Sequence, residues 1–514
     1  MRRAMISVTL GVLAACSGGG HGVGESCDTA ADCASGLQCF EHQCVPRCLH
    51  HVDCGDGYRC ESGQCRLVAA GEDAACHSEL DCGPGLTCRL REQLSTPPGL
   101  CRPHTTAGVP GSTCDVDDDC RGGACALGHC LDLCAAAPEC QPRWTCAAIP
   151  RLTADATTFL GNFDACLPGS GSITFEVPLD PMVREPTVLI SVPSSALAVA
   201  AVIEVADPFQ RIGATLLESP AGRTLYELPV DRDAFFRNRV RHEPAPGVSV
   251  VKIPGSPTEP LEAGAYALSI GVFRDDGGEP SRDRRLRVTE KLGLGAALDL
   301  HFYFTDLDDH PCAEGIGGEL DAATAASSTA FQEVYLAELR TILSKALASG
   351  ATTYDDIVDH PELGGLSRER AGELFSLNTY DRGVAVFFVR SIAPAGVQIV
   401  VGGTPGAPLA GTRASGVAIS LAAMCYARRG ADEVLRPGAR AGDRDRDWRM
   451  MARQTAHAIA RHLGLFRNIE PDGGEDPIGD SPLGADNLMH FSEFGGTTLS
   501  PGQAQMLRAS PAVQ

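Results

Sequence analysis

The stretch His457-Ala-Ile-Ala-Arg-His-Leu-Gly-Leu-Phe-Arg467 decides how the C-terminal part of this 514-residue chain folds. It lies in a run over 447–466 that predicts a long helix. Residues four positions apart on a helix differ by about 40° around the axis, so position 461 shares a face with His457. Position 461 holds Arg461, a permanent cation that does not bind metal ions. His462 follows five positions after His457, about 140° away around a regular helix.

These residues resemble the zinc-binding helix of metzincin metallopeptidases, whose signature is H-E-x-x-H-x-x-G-x-x-H followed by a methionine turn. His457 and Gly464 keep their places, whereas Ala458 replaces the catalytic glutamate and Arg461 and Arg467 replace two histidine ligands. The resemblance implies a vestigial site with no general base and one of the three protein ligands of a catalytic zinc. It therefore implies a metallopeptidase fold without catalysis and without a zinc cofactor.

The residues after the helix extend the resemblance to pappalysin-like members of the family. Gly464 can take a positive φ and turn the chain back, and Asn487-Leu-Met489 supplies a methionine turn at Met489. An acidic segment with Glu470 and the loop 476–482 lies between them. We expect a guanidinium group at a lost ligand position to pair with one of these acids. The pairs would join Arg461 or Arg467 to Glu470, Asp476 or Asp480.

Residues 292–514 alternate strand-like and helix-like segments, the order that the resemblance implies for a metzincin-like domain of α/β or α+β class. A first amphipathic helix is predicted over 322–347. The predicted strands are apolar runs at 298–304, 383–389, 396–401 and 416–421. Cys312 and Cys425 are the only cysteines of this region, and we expect them to pair. The alternative is a generic α/β domain whose core helix happens to contain His457.

Residues 27–168 contain five groups of four cysteines, an internal repeat in which the second cysteine follows an acid. The groups are Cys27, Cys33, Cys39 and Cys44; Cys48, Cys54, Cys60 and Cys65; Cys76, Cys82, Cys88 and Cys101; Cys114, Cys120, Cys125 and Cys130; and Cys134, Cys140, Cys146 and Cys166. Large apolar side chains are few here, so covalent staples must replace a core. Zinc is the competing interpretation, but no C-x-x-C pair occurs. Disulfides are therefore predicted, with the pairing in each group left open.

The cysteine spacing resembles Dickkopf-type and EB-type repeats, which implies an extended binding or spacer module without chemistry of its own. The next region, 169–291, carries short β-type runs separated by Pro and Gly clusters, which predicts an all-β sandwich. Its predicted strands are 173–177, 187–192, 198–205, 248–253 and 266–272. Leu261-Glu-Ala-Gly-Ala-Tyr-Ala-Leu-Ser-Ile270 resembles the closing strand of sandwich domains that accompany secreted bacterial peptidases.

Residues 1–15 combine Arg2 and Arg3 with an apolar stretch too short to span a bilayer, which predicts a signal peptide. Leu13-Ala-Ala-Cys16 resembles the lipobox of bacterial lipoproteins, which implies that Cys16 is lipidated and anchors the chain in a lipid bilayer. Residues 16–26 are then the acylated cysteine and a flexible tether. Ordinary signal cleavage, with Cys16 as a plain thiol, is the alternative.

The net charge of −22 argues against a nucleic-acid partner, since no basic patch would offset phosphate repulsion. The sequence thus predicts a multidomain, exported lipoprotein at the outer membrane or cell surface. We expect its last domain to be a pseudopeptidase that binds a polypeptide or surface protein without cleaving it. Two alternatives stay open. One is an active zinc metallopeptidase that uses His457 with His462, His490 or an acid of 470–480, and the other is an architectural stalk for adhesion.

Overall fold

The fold is described by a computed structural model of the chain. The described residues are 25–35, 37–40, 42–46, 48, 58–61, 64–91, 94–104, 108–229, 231, 238–242, 244–274, 278–305, 307, 320–393, 399–421, 448–469, 473–491 and 496–514. Cys16, Cys54, Cys312, Cys425 and Glu470, all singled out above, lie outside them. Within the described ranges, no helix has both the length and the apolar character needed to cross a membrane.

The cysteine-rich region consists of small hairpins clamped by disulfides. Its strands are β1 (Leu37–Phe40), β2 (Gln43–Pro46), β3 (Tyr58–Glu61), β4 (Gln64–Leu67), β5 (Ala75–Cys76), β6 (Leu86–Leu90), β7 (Gly99–Pro103), β8 (Ala124–Ala126), β9 (His129–Leu131), β10 (Trp144–Leu152) and β11 (Phe159–Pro168). In four groups the first cysteine pairs with the third and the second with the fourth, and in the second group the described bond joins the first cysteine to the third. Nine such bonds join described cysteines: Cys27–Cys39, Cys33–Cys44, Cys48–Cys60, Cys76–Cys88, Cys82–Cys101, Cys114–Cys125, Cys120–Cys130, Cys134–Cys146 and Cys140–Cys166. The predicted disulfide-rich repeat is confirmed, and this many disulfides is typical of exported proteins.

The acid that precedes the second cysteine has a structural role. Asp119 ends a short 3-10 turn, Asp117–Asp119, and its Oδ2 accepts hydrogen bonds from the backbone N–H groups of Asp115 at 2.8 Å and Val116 at 3.0 Å. These two bonds lower the pKa of the Asp119 carboxyl. Equivalent contacts occur at Asp32, Asp81 and Glu139. The repeated acid therefore closes the turn that aims each second cysteine at its partner.

Two antiparallel sheets follow and share one apolar core. Their strands are β12 (Gly171–Val177), β13 (Thr187–Val192), β14 (Ala196–Val205), β15 (Arg211–Glu218), β16 (Thr224–Glu227), β17 (Ala245–Pro246), β18 (Val248–Ile253), β19 (Gly264–Phe273) and β20 (Arg284–Leu292). The first sheet has the order β12-β20-β14-β18, and the second has the order β13-β19-β15-β16 with β17 beside β15. All five strands predicted in this region are present. Side chains from both sheets meet between them, among them Ile190, Ile203, Leu268 and Val288.

The last part of the chain is built on a five-stranded sheet with the order β22-β21-β24-β27-β26, in which only β26 runs antiparallel. The strands are β21 (Ala297–Thr305), β22 (Ala348–Ile357), β23 (Gly365–Ser367), β24 (Val384–Val389), β25 (Ser391–Ala393), β26 (Ile399–Val401) and β27 (Val417–Ser420). The helices are α1 (Ala322–Ser327), a π-helical turn (Ala330–Leu336), α2 (Ala337–Leu343), α3 (Ala371–Phe375), α4 (Trp448–His462) and α5 (Pro501–Arg508). The described body is therefore rich in sheet and poor in helix, and the predicted domain boundaries stay predictions.

The prediction of one continuous helix over 322–347 is wrong. Helix α1 ends at Ser327, because Ser328 takes extended backbone with φ −70° and ψ 124°. The Ser327 hydroxyl donates to the Ala323 carbonyl at 2.9 Å, a local bond of the kind by which serine competes with helix geometry. The chain then resumes helically and buries Phe331. The apolar periodicity continues across the break, so it does not reveal where the backbone leaves helical geometry.

The first sheet also packs outward, against the C-terminal part of the chain. Its outer face contacts the loop after β26 through the buried cluster Ala200, Val202, Val248, Val250, Ala407, Leu409 and Ala414. Lys252 at the edge of this cluster is 4% exposed, and its Nζ donates to the carbonyls of Leu463 at 2.9 Å and Met506 at 2.7 Å. Lys291 likewise donates to the carbonyls of Gly295, at 2.9 Å, and Arg508. Two lysines of one sheet thus bind carbonyls at the ends of α4 and α5.

Replacing Lys252 by methionine should destabilise this junction. The variant keeps most of the side-chain volume but leaves two buried carbonyls without their donor, which costs about 2 kcal/mol of unfolding free energy. Burial, reinforced by the charge of Lys291, lowers the pKa of Lys252 to about 7 from its usual 10.5. Between these values the unfolded chain binds more protons, so wild-type stability rises with pH across that window. We expect the urea midpoint of the methionine variant to fall further below wild type near pH 9 than near pH 7. Equal midpoints at both values would contradict the buried contact.

Candidate functional site

The helix that carries the predicted site lies in the core of the C-terminal part. Helix α4 packs against the five-stranded sheet and α2, with Ala456, Ala458 and Ile459 fully buried in the same apolar cluster as the sheet residue Phe388. The helix was predicted over 447–466 and is observed over Trp448–His462, because Gly464 ends it with a φ of +105°. Ala458 therefore places a methyl group in the core at the position that the motif gives to a catalytic acid–base group.

His457 is held in a defined orientation by the backbone of the predicted methionine turn. Its Nδ1 lies 2.8 Å from the carbonyl oxygen of Leu488, the residue before the fully buried Met489. A carbonyl only accepts hydrogen bonds, so Nδ1 carries the hydrogen and Nε2 presents a lone pair. Nε2 is buried and contacts no donor within hydrogen-bond distance in the described part of the chain. Histidines that bind metals have this orientation: one ring nitrogen is fixed by a hydrogen bond and the lone pair of the other coordinates the metal.

Two guanidinium groups and the His490 ring lie near the His457 ring. Burial lowers the pKa of His457 to about 4, and the charges of Arg461, Arg467 and His490 act in the same direction. Arg461 also donates from Nε to the hydroxyl of Thr404 at 3.1 Å, in the glycine-rich segment after β26. The structure thus brings together His457, the two arginines at the lost ligand positions, and His490 next to the methionine turn. We refer to these four residues as the cationic cluster.

The acids of the following loop make other contacts. The Asp480 carboxylate accepts from the Ser500 hydroxyl at 2.7 Å and the Gly502 N–H at 2.9 Å, at the start of α5. Asp476 accepts from the Ile478 N–H at 2.9 Å. Burial raises the pKa of Asp476 to about 6, and the cation that opposes this shift is Arg241. The described hydrogen bonds therefore anchor Asp480 to the start of α5 and Asp476 to its own turn, and the predicted pairs with Arg461 and Arg467 stay predictions.

His462 points to a different side of the helix from His457. Its ring lies against Gly406, where an added Cβ would come within 1.9 Å of Nδ1. Burial lowers the pKa of His462 to about 4, while a hydrogen bond with the Gly416 backbone opposes that shift. This placement agrees with the angle of about 140° expected for residues five positions apart on a helix. His462 is therefore packed under the glycine-rich loop, away from the Leu488 carbonyl.

The residues present do not fit a zinc ion. A catalytic zinc needs three protein ligands, and in the cationic cluster two of the three motif positions hold guanidinium groups that cannot coordinate metal. Within the described residues, the groups of three or more potential ligands that lie close together are all half-cystines of the repeats. The buried lone pair of His457 is thus one donor without the set that a metal requires.

Several residues that shape the site were not identified from the sequence. Lys252 fixes the end of α4, and its contact with Gly464 is close enough that an added Cβ would lie 2.8 Å from Lys252 Cδ. A lone lysine inside the apolar run Val248-Ser-Val-Val-Lys-Ile253 was the available signal. No feature of the sequence marks Arg241 or Thr404 as part of the site, because both lie far along the chain from the residues that they influence. The site is assembled from three distant segments of the chain.

The chain matches none of the protein families to which it was compared. It is similar to Turripeptide OL55-like from Lophiotoma acuta, with 31% identity over 103 residues in an alignment covering 16% of this chain and 97% of that protein. An active-site mutant of a family two carbohydrate esterase from Clostridium thermocellum aligns at 12% identity over 43% of this chain and 65% of that chain, with a TM-score of 0.12. So low a TM-score carries no argument about the fold. Neither protein is named as a metallopeptidase.

Replacing Gly464 by alanine should destabilise the end of α4. A φ of +105° strains any residue with a Cβ, and the new methyl would press on the buried Lys252 side chain. We expect the unfolding free energy to fall by about 2 kcal/mol in urea denaturation. Gly479→Ala is the matched control, since an added Cβ there meets nothing within 4 Å. Equal urea midpoints for the two variants would show that α4 does not end as described.

Proposed function

We propose that function resides in the C-terminal part of the chain, whereas the cysteine-rich repeats, which belong to the family of Turripeptide OL55-like over an alignment covering 16% of the chain, have no chemistry of their own. In the C-terminal part we propose a metzincin-like pseudopeptidase domain over 292–514, which binds a polypeptide or surface protein without cleaving it. The paired sheets form the predicted sandwich between the two. The repeats then act as an extended spacer that presents the C-terminal domain.

The observation that carries this proposal is that α4 and the turn after it keep one oriented histidine of the motif while the other motif positions are replaced. His457 retains the orientation of a metal ligand on the Leu488 carbonyl, beside the buried Met489. The motif positions for the general base and two ligands hold Ala458, Arg461 and Arg467. The support from the fold is the order of a strand, a helical segment, several strands and a late helix. A scaffold of this kind without base or metal ligands can hold an extended chain but has no group to activate water.

The disulfides and the proposed lipid anchor support a location outside the cytoplasm, at a membrane surface. Nine disulfides among the described cysteines are stable in an oxidising compartment outside the cytoplasm. We propose that acylation of Cys16 holds the chain at a membrane surface. The spacer repeats would then separate the polypeptide-binding domain from the bilayer.

The purified full-length protein should contain no stoichiometric zinc and should leave a casein substrate intact. One histidine and two arginines cannot replace three neutral or anionic ligands, and Ala458 cannot accept a proton. Elemental analysis and a cleavage assay with and without chelator measure both properties. One zinc per chain together with chelator-sensitive cleavage would instead establish the rival interpretation, an active metallopeptidase with non-standard ligands.

A gain-of-ligand variant provides the positive control. In the triple variant A458E/R461H/R467H the full motif is restored on α4 and the segment after the Gly464 turn, so zinc should bind at one ion per chain if the backbone is that of a metzincin. Failure of this folded variant to bind zinc would favour the generic α/β domain. If the wild-type chain also captured no unfolded casein, the architectural stalk would become the better interpretation.

A further inference from the structure

We propose that the joint between the third and fourth cysteine-rich repeats is a proton-controlled hinge, which is closed while the Glu79 carboxyl group is neutral and opens when that group ionises. Glu79 begins the short turn before the second cysteine of the third repeat, and Asp132 follows the last cysteine of the fourth. This inference goes beyond the spacer role proposed for the repeats, and it does not depend on what the C-terminal part binds. The spacer would be rigid at acidic pH and would gain freedom at alkaline pH.

The two repeats meet through non-covalent contacts. Each disulfide described for them joins cysteines of one repeat: Cys76–Cys88, Cys82–Cys101, Cys114–Cys125 and Cys120–Cys130. Between the repeats, the N–H of Gly123 donates to the Cys88 carbonyl at 2.8 Å, and the N–H of Leu90 donates to the Gly123 carbonyl at 3.1 Å. An ion pair of Arg89 with Asp118 adds little, because the Asp118 side chain is 88% exposed. The joint can therefore open while the disulfides keep each repeat folded.

The Glu79 carboxyl group is enclosed where the two repeats meet. Its Oε1 accepts a hydrogen bond from the hydroxyl of Thr87, a residue of β6 that is 1% exposed. Gly122 of the fourth repeat covers this pair so closely that an added Cβ would lie 2.5 Å from Glu79 Oε1 and would overlap the Thr87 hydroxyl. The next residue, Gly123, makes the two backbone hydrogen bonds that close the joint. Full hydration of the Glu79 carboxyl group therefore requires the repeats to separate.

Burial and a neighbouring acid favour the neutral form of Glu79. Burial, followed by the charge of Asp132, raises the pKa of Glu79 to about 8. The opposing effects come from the hydrogen bonds with Thr87 and the Cys88 backbone and from the charge of Arg121. Burial also raises the pKa of Asp132 to about 6, and Arg121 opposes that shift too. Asp132 thus ionises first as the pH rises, and ionisation of Glu79 then adds a second negative charge to an enclosed site.

The other described charged groups of the joint make contacts of their own. Arg89 pairs with Asp118 at 3.3 Å, and Arg121 donates from Nε to Nδ1 of His104 at 2.9 Å. Asp81, on the same turn as Glu79, accepts from the backbone N–H groups that precede it. The charges that act on Glu79 are those of Asp132 and Arg121.

The direction of the pH dependence follows from the raised pKa of Glu79. In the open joint the hydrated carboxyl would return to its ordinary pKa of 4.5, so the closed joint binds more protons between this value and about 8. Closure is therefore fully favoured below the lower value and is weakened progressively as the pH rises towards the upper one. Asp132 acts in the same direction over a narrower range, because its pKa is raised from 3.8 to about 6.

Amide hydrogen exchange of the full-length protein, measured by mass spectrometry near pH 5 and near pH 9, tests the hinge. After correction for the intrinsic pH dependence of exchange, we expect the protection of segments 86–91 and 120–125 to fall at least about tenfold at the higher pH, the factor that one pKa unit supplies. Glu79→Gln keeps an acceptor for Thr87 but cannot ionise, so it should match wild type near pH 5 and stay protected near pH 9. Glu72→Gln is the matched control, since Glu72 is an acid of the same repeat whose side chain is 56% exposed, and it should behave as wild type.

A second variant keeps the test decisive if Glu79→Gln does not fold, which circular dichroism near pH 5 would reveal. Asp132→Asn removes the neighbouring negative charge, so this variant should lose less protection than wild type near pH 9. Equal protection of the wild-type joint at both pH values would overturn the hinge, and so would an equal loss in wild type and in folded Glu79→Gln. A loss that extends equally to the strands of the paired sheets would show global unfolding and would also overturn it.

Discussion

The contact between Lys252 and the ends of two helices is the constraint on which the C-terminal site depends. The last carbonyls of a helix lack partners within the helix, and burying them requires donors from elsewhere. Lys252 supplies those donors to Leu463 and Met506 from a strand of the paired sheets. Its side chain also lies against Gly464, where the chain turns towards Arg467. The geometry of the cationic cluster therefore depends on a residue about two hundred positions earlier in the chain.

Local sequence signals predict part of this fold, whereas contacts between distant segments, such as that of Lys252, cannot be predicted from them. Strands such as β13 (Thr187–Val192) and β18 (Val248–Ile253) were predicted at their observed bounds, because apolar runs between turn residues are a local signal. Strand β22 was missed because Ala348-Ser-Gly-Ala-Thr-Thr-Tyr-Asp-Asp-Ile357 is polar and half-exposed and has no apolar run. The break at Ser328 was missed because a side-chain hydrogen bond does not alter periodicity.

The same difference between local signals and tertiary contacts determines how much of the candidate site the sequence predicts. Residues of one helix, His457 and Arg461, were placed on a common face from spacing alone, and His462 was placed elsewhere by the same geometry. The contacts made by the acidic loop depend on tertiary structure. Asp480 binds the start of α5, and Asp476 lies in the field of Arg241 from the region of the paired sheets. Neither contact follows from sequence spacing, because each joins segments whose proximity is set by the packed sheets and helices.

These contacts bear on the structural role of Arg461 and Arg467. If their role were to hold the acidic loop in place of a metal ion, the described acids of that loop would be expected to face them. Asp480 is fixed by a helix start and Asp476 by its own turn, and the predicted pairs of Arg461 and Arg467 with acids of this loop stay predictions. His457 is a neutral, buried imidazole whose acceptor nitrogen lacks a donor among the described residues, and the guanidinium groups of Arg461 and Arg467 add to the lowering of its pKa that burial causes. A metal ion bound at this nitrogen would add positive charge beside two guanidinium groups that are themselves permanent cations, which is unfavourable.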